Sequence, residues 1–337
     1  MKKKKILVTG GAGYLGTVLS EKLAKEGFNV RIFDRFYFGR DKIRHLDGTV
    51  EVVEGDIRNL PESLFDNVDS VIHLAALSND PTAEFNPKAN HAINTLATER
   101  LAKLAKKRGV GRFIFASSCS IYDLGMENGH GIRDEDSKVV PKAAYSTSKY
   151  KAERELLKLA DRDFDVVILR KGTVFGFSPR MRYDLVVNTM VKNALSSGVI
   201  KIFCKGVQWR PLVDIEDVAR AYMMALTAPS AKVNRQIFNI SLGNFLVRDL
   251  AFDVAKTLKK YFKVNTKIIF ENDDKRDRSY SVSADKAKKI LKFVLKVSVE
   301  ESIVRMVKGI RENKMTDFDN PIYYNIAWMR PILGKGI

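Results

Sequence analysis

The sequence predicts an α/β protein: a doubly wound parallel sheet with a smaller C-terminal lobe. Short apolar runs alternate with longer stretches of helical periodicity through the first half of the chain. The runs are apolar throughout, as in strands covered on both faces. A glycine cluster stands between the first run and the first helix. Strand–helix–strand units at this spacing wind right-handed and place helices on both sides of the sheet.

Residues 6–9 read as the first buried strand, and after the glycines residues 17–26 read as a helix that Gly27 ends. Residues 30–33, 50–53 and 70–75 supply the next three strands. Residues 90–108 carry Leu96, Leu101, Leu104 and Ala105 along one helical face, and Gly109 closes that helix. Residues 112–116 and 166–169 are the fifth and sixth strands, with a helix over 143–159 between them. After Gly172 the rhythm breaks into segments rich in Gly, Pro and Arg. The expected division is therefore 1–175, with 212–241 returning to it, as the sheet domain. Residues 176–211 and 242–337 make the substrate lobe.

At 337 residues the chain has the length of about two domains. Its 45% hydrophobic content argues against disorder, and its longest uncharged stretch, 6–20, is too short and glycine-rich for a membrane span. Two cysteines, Cys119 and Cys204, cannot build a disulfide framework, which fits a reducing compartment. With 58 Lys+Arg against 40 Asp+Glu the net charge is +18. Such charge suits nucleic acid, an anionic surface or an anionic small molecule alike. The positive residues are scattered, with Lys2–Lys5 the densest run, so no nucleic-acid contact is expected.

Gly10, Gly13 and Gly16 lie between the first strand and the first helix. Glycine there lets backbone N–H groups approach a pyrophosphate, and the helix N-terminus favours the anion. Following a strand and opening a helix, the pattern reads as a dinucleotide site. Asp34 ends the second strand, where a carboxylate accepts hydrogen bonds from ribose hydroxyls and repels a 2′-phosphate, favouring NAD over NADP. Arg35 beside it is the complication, because an arginine accommodates that phosphate. Asp56, past the third strand, is placed to meet an adenine amino group.

Of 11 tyrosines only Tyr145 has a lysine four positions on, Lys149. On a helix the two share a face, and the ammonium is expected to lower the phenol pKa toward a range useful for proton transfer. Ser117, Ser118 and Ser120 put hydroxyls at the carboxyl end of the fifth strand, the edge where open α/β sheets bind ligands. His45, His73, His91 and His130 show no metal-ligand spacing, so no metal is expected. Phe33, Phe36, Tyr37 and Phe38 cluster beside Asp34, as core or adenine-side packing.

Taken together these motifs resemble the extended short-chain dehydrogenase/reductase family, within it the nucleotide-sugar epimerase/dehydratase group. The matching stretches are 9–16, Asp34, Gly55-Asp56, His73-Leu74-Ala75-Ala76, the serines before Ile121-Tyr122, Tyr145 with Lys149, and Arg210-Pro211-Leu212-Val213-Asp214. The resemblance implies a Rossmann-type fold and NAD as cofactor, held by Gly10, Gly13, Tyr14, Leu15, Gly16, Asp34, Arg35, Asp56, Ile57, Leu74, Ala75, Ala76, Tyr145 and Lys149. It implies Tyr145 as general base and acid, Lys149 on the nicotinamide ribose, and Ser118 on the reacting oxygen. A nucleotide-diphosphate sugar is the implied substrate, met by Ser78, Asn79, Ser118, Thr173, Asn188, Arg210 and Arg278. It further implies a cytoplasmic homodimer that pairs through the helices at 90–108 and 143–159, with no membrane partner.

Departures from the family pattern narrow the chemistry. The family's sugar 4,6-dehydratases carry Asp-Glu after the catalytic hydroxyl residue, whereas Cys119 and Ser120 stand here, so that elimination is disfavoured. Cys119 reads as a buried structural cysteine, and Thr173 takes the place of a frequent asparagine. C4 epimerisation is the leading expectation, with C4 dehydrogenation or 4-ketoreduction as the alternative. A non-catalytic NAD- or RNA-binding protein would be free to lose Tyr145, Lys149 or Ser118, and all three are present.

Overall fold

The structure, a computed structural model, describes residues 3–122, 131–271 and 279–334. The chain opens with β1 (Lys5–Thr9), α1 (Tyr14–Lys25), β2 (Asn29–Asp34), β3 (Glu51–Glu54) and β4 (Ser70–His73). α2 (Asp80–Phe85) and α3 (Pro87–His91) follow, and a π-helical stretch, Ala92–Ala97, carries α3 into α4 (Thr98–Lys107). Then come β5 (Arg112–Ser118), the short β6 (Ile132–Arg133), α5 (Ala144–Leu159) and β7 (Asp165–Lys171).

The second half runs β8 (Thr173–Phe175), α6 (Val186–Ser197), β9 (Val199–Ile202), β10 (Trp209–Asp214), α7 (Ile215–Thr227), α8 (Ser230–Val233) and β11 (Gln236–Ile240). It closes with β12 (Gly243–Leu246), α9 (Val247–Phe262), β13 (Lys267–Phe270), β14 (Ser281–Val282), α10 (Val299–Glu312) and α11 (Asn325–Leu333).

Seven strands form one parallel sheet in the order β11-β7-β5-β4-β1-β2-β3, the Rossmann-type arrangement. The alternation of side chains sorts each strand between two cores. Ile6 and Val8 enter one cluster and Leu7 the other; Ile72 and Ile114 divide in the same way from Val71 and Phe113. Burying each such side chain contributes about 1.5–3 kcal/mol, which favours apolar residues on both faces of these strands. Outside that sheet lie the three-stranded sheet β12-β10-β8 and the pairs β13-β9 and β14-β6, to which β6 and β8 come from within the 1–175 segment expected to serve the main sheet.

Among the element boundaries that differ from the expected ones, two shape the glycine-loop side of the cavity. α1 starts at Tyr14, with Gly13 as its extended N-cap, because a side chain on Gly16 would meet the Gly10 carbonyl at 2.1 Å. The close turn is thus folded into the helix rather than preceding it. β4 stops at His73, whose ring contacts Thr9 Oγ1 at 2.6 Å and Thr98 Oγ1 at 2.8 Å. Leu74 to Ala76 leave the sheet there and pass against Gly10, where a Cβ would lie 2.6 Å from the Ala75 nitrogen. Gly10 also holds φ at +73°, a second reason for glycine.

The apolar faces of α4 and α5 are spent inside the molecule. Leu101, Ala102, Ala105, Ala152 and Leu156 are buried in one core cluster, while Leu96 is 52% exposed. No helix among the described residues is long and apolar enough to cross a membrane.

Candidate active site

α5 brings the reactive side chains together. Tyr145, Lys149 and Glu153 recur every four residues, so one stripe of the helix faces the sheet, and all three are buried. Glu153 anchors that stripe: Arg170 of β7 grips its carboxylate at 2.7 and 3.0 Å and donates to Tyr122 Oη at 2.6 Å. β5 runs two residues beyond its expected end, making Ser118 its last residue, in register with Lys171 of β7. Hydroxyl and ammonium therefore sit side by side at the sheet's carboxyl edge.

A cavity of about 620 Å³ opens at that edge. Ser118, Tyr145 and Lys149 line it, as do Gly10, Gly13, Tyr14, Leu15, Gly16, Asp34, Arg35, Asp56 and Ile57. Leu74, Ala75, Ala76, Ser78, Asn79, Thr173 and Arg210 complete the expected residues found on its wall. Asn79 also caps α2 by accepting from the Thr82 amide at 3.0 Å. Arg278 lies outside the described residues.

The electrostatics differ from the sequence expectation at Tyr145. Burial, with Asp80 adding to it, holds the phenol above the ordinary tyrosine range; Arg182 and a hydrogen bond with Ser118 oppose this only in part. Burial and the neighbouring charge of Lys171 push Lys149 well below the ordinary lysine range. Its Nζ stands 4.7 Å from the Phe115 ring centroid and 5.9 Å from that of Tyr145. The expected lowering of the phenol pKa is thus corrected: in a dry wall both charged forms, phenolate and ammonium, are disfavoured. Lys171, its Nζ donating to the Ser117 carbonyl at 2.7 Å, is pulled down to about 8 by burial.

Other expectations are corrected by where the side chains spend their hydrogen bonds. Asn188 does not line the cavity. It is fully buried, accepts from the Gly176 amide at 3.1 Å and donates to Tyr14 Oη at 3.1 Å and the Arg182 carbonyl at 2.8 Å. Tyr14 in turn donates to the Gly176 carbonyl at 2.7 Å, so its hydroxyl ties the glycine loop to the lobe.

Asp56 is committed to arginines rather than held open for an adenine amino group. Arg58 holds it at 2.5–3.1 Å and Arg35 pairs with it. Burial opposes ionisation, but these cations outweigh it and bring Asp56 down to about 2. With Arg35 turned to Asp56 and 4.9 Å from the Tyr37 ring, its role as acceptor of a 2′-phosphate gives way to ion pairing. Asp34 accepts from the Ala12 amide at 3.0 Å and the Phe36 amide at 2.8 Å, joining the glycine loop to the end of β2. Burial raises its pKa against those hydrogen bonds.

Cys119 is fully buried with its thiol 3.1 Å from the Arg170 carbonyl, and burial pushes its pKa up. His73 is likewise buried and driven well below its ordinary range by that burial, with Lys149 adding to the effect. Among the described residues no group of three His, Cys, Asp or Glu could hold a metal ion.

Lys171, Arg180, Arg182 and Asn325 are among the wall residues not anticipated from the sequence. Arg182 forms a paired contact with Asp184 at 2.8 and 2.9 Å. Asn325, at the start of α11, donates to Ser78 Oγ at 2.9 Å and its amide to Asp184 at 3.1 Å. Trp328 Nε1 donates to the Tyr37 carbonyl at 2.6 Å, so the C-terminal helix straps the cavity mouth to β2 and β4. One signal was present in the sequence: in Pro179-Arg180-Met181-Arg182-Tyr183 charges alternate with apolar residues, and Met181 and Tyr183 are buried.

The profile of the family described as "NAD dependent epimerase/dehydratase family" matches residues 6–241. UDP-glucuronic acid decarboxylase 1 of Xenopus tropicalis is 27% identical over 324 residues, covering 92% of this chain and 73% of that protein. The solved UDP-glucose 4-epimerase of Thermotoga maritima, with UDP-glucose, matches with a TM-score of 0.80 at 26% identity, over 92% of this chain and 99% of its own. MoeE5 in complex with UDP-glucose and NAD matches with a TM-score of 0.77 at 26% identity, over the same shares of 92% and 99%.

Proposed function

We propose that this chain, which belongs to the NAD-dependent epimerase/dehydratase family, oxidises a UDP-activated sugar at C4 and reduces it again from the opposite face. It is an enzyme, and NAD is its cofactor. The observation that carries the reading is the convergence of Ser118, Tyr145 and Lys149 on one cavity with the glycine loop, Asp34 and Arg210. One cavity is lined both by the glycine loop of the β1–α1 turn and by Arg210. UDP as the carrier rests on the relatives' substrates.

The residues present fit NAD: Gly10 and Gly16 leave no room for side chains where its phosphates need backbone N–H groups, and Asp34 stands at the end of β2. Bound NAD supplies the acceptor for a hydride. As a phenolate, its own proton having passed to the Lys149 amine, Tyr145 Oη would take the proton of the sugar O4 as the C4 hydride leaves, so the sugar loses two electrons and becomes the ketone. Ser118 holds the reacting oxygen in line with the phenol. Lys149, drawn back toward its charged form by an anionic neighbour, stabilises the phenolate that receives the proton. Return of the same proton and hydride completes the cycle with no net redox change. Arg210 offers a planar, permanently charged fork for the sugar nucleotide's diphosphate.

Purified protein incubated with a panel of UDP-, GDP-, dTDP- and CDP-sugars tests this by product NMR, with mass spectrometry for retained NAD. A C4 epimer from a UDP-sugar without NADH build-up is the expected result. Release of NADH with a 4-keto product makes the enzyme a C4 dehydrogenase, and its reverse a 4-ketoreductase. Steeply salt-dependent RNA binding with no sugar turnover overturns the enzyme reading. We further propose a cytoplasmic homodimer with the exposed Leu96 at its contact; a monomer by light scattering at micromolar concentration refutes the dimer.

A further inference from the structure

We propose that Arg180, an arginine carried by the lobe and not by the glycine loop, binds the diphosphate of the dinucleotide and closes the lobe over it. The proposal rests on NAD occupying this cavity. Buried arginines elsewhere in the described residues have carboxylate partners: Arg112 has Asp165, Arg170 has Glu153, Arg182 has Asp184, and Arg31 has Glu51. Arg180 is 3% exposed and has none. Its Nη2 donates to Asn325 Oδ1 at 2.5 Å, and its Nε and Nη1 have no hydrogen-bond partner. Its guanidinium lies 3.6 Å from the Phe38 ring centroid, stacked rather than ion-paired.

A buried arginine left in this condition is costly, and an anion against the same wall removes the cost. The surrounding geometry says which anion. Ser178 Oγ donates to the Tyr14 carbonyl at 2.7 Å and meets Thr17 Oγ1 at 2.9 Å, which clamps the 176–182 segment onto the first turn of α1. That turn presents the backbone N–H groups of the glycine loop, an anion site by construction. Arg180 lines the same cavity from the lobe segment; burial and the neighbouring Arg182 disfavour its charge, while Asp184, Tyr14 and Asp34 favour it from beyond ion-pair distance. A diphosphate between the loop and Arg180 receives backbone donors on one side and a planar cation on the other. The same seating makes the lobe part of the cofactor site, so the dinucleotide leaves slowly.

The test compares wild type with Arg180→Met in binding ADP-ribose, adenosine and UDP by calorimetry, and in NADH release by stopped-flow fluorescence. Loss of two charge-assisted hydrogen bonds weakens ADP-ribose by roughly 10–100-fold and speeds NADH release by a similar factor. Adenosine and UDP, which lack this phosphate contact, stay within about twofold. A loss on UDP alone assigns Arg180 to the substrate and overturns the proposal. Equal losses on adenosine and ADP-ribose, or no loss, overturn it as well. Circular dichroism checks folding; if the methionine variant does not fold, Arg180→Lys carries the same comparison, with a loss on ADP-ribose expected and none refuting it. Failure of wild type to bind NADH at all strikes the cofactor reading instead, so the two failures are distinct.

Discussion

Replacing Tyr145 by phenylalanine removes one oxygen from a side chain whose ring is otherwise kept in place. The ring is buried against α5 and the cavity wall. The interaction with Ser118, whose Oγ donates to Ser120 Oγ at 2.9 Å, contributes at most about 1 kcal/mol net, and it is partly offset because burial penalises the Tyr145 hydroxyl. Folding stability therefore changes by no more than about 1 kcal/mol. The chemistry loses its proton acceptor, which contributes roughly 10²–10⁴-fold in rate, or about 3–5 kcal/mol of barrier. Cys119 offers no replacement, since its thiol is turned to the Arg170 carbonyl. The assay is single-turnover reduction of bound NAD by the UDP-sugar, followed by absorbance, beside NADH affinity by fluorescence. Turnover should fall at least 100-fold while NADH binds within about threefold of wild type. Turnover retained within tenfold refutes the assignment of Tyr145 as base.

Arg210→Ala should raise KM for the UDP-sugar roughly tenfold or more with little change in NADH affinity; an effect confined to NADH removes Arg210 from the substrate's diphosphate. Glu153→Ala should destabilise the fold by about 3–5 kcal/mol in urea unfolding, because Arg170 is left charged and buried; a change below about 1 kcal/mol rejects that account. Lys171 has a folded pKa of about 8 against 10.5 for the free side chain. Between those values the unfolded chain holds a proton that the folded chain lacks, so stability of the ligand-free protein rises with pH from about 8 toward 10. The slope is up to about 1.4 kcal/mol per pH unit. Lys171→Met should flatten that rise, and an unchanged slope assigns it to other groups.

Residues whose role follows from period or strand position were legible in the sequence. The sheet strands read as apolar runs because both faces are covered, and Tyr145 with Lys149 read as one helical face because i and i+4 coincide. Extending that period to Glu153 was equally possible, since the same stripe continues. Asn188 shows the opposite case: its place near the site was anticipated, but which way its amide turns depends on the Tyr14 hydroxyl and the Gly176 backbone, contacts from distant parts of the chain. Arg180 and Arg182 carry only the short alternation with Met181 and Tyr183, and Asn325 comes from a stretch with no period, so no pattern places them on the cavity wall. The Tyr145 pKa was misread for a related reason: sequence places an ammonium nearby but does not report that both groups lie in a dry wall.

The net charge of +18 divides once burial is considered. Most of the cations are exposed and serve the solvated surface, where single ion pairs add little. Inside the fold, Arg31, Arg112, Arg170 and Arg182 each have a carboxylate, so they hold segments together without net field. Arg180 is the fully buried arginine left without such a partner among the described residues, and it stands on the wall of the same cavity as Lys149, whose charged form burial disfavours. Lys171 joins them there, half-buried and bonded to a carbonyl. Uncompensated buried charge is costly in a fold and useful only against an anion. Its concentration in one cavity, with carboxylate pairing everywhere else inside, is what a dinucleotide and a sugar nucleotide with their diphosphates require. A nucleic-acid partner would instead require the excess to be arranged on the surface as a stripe or patch.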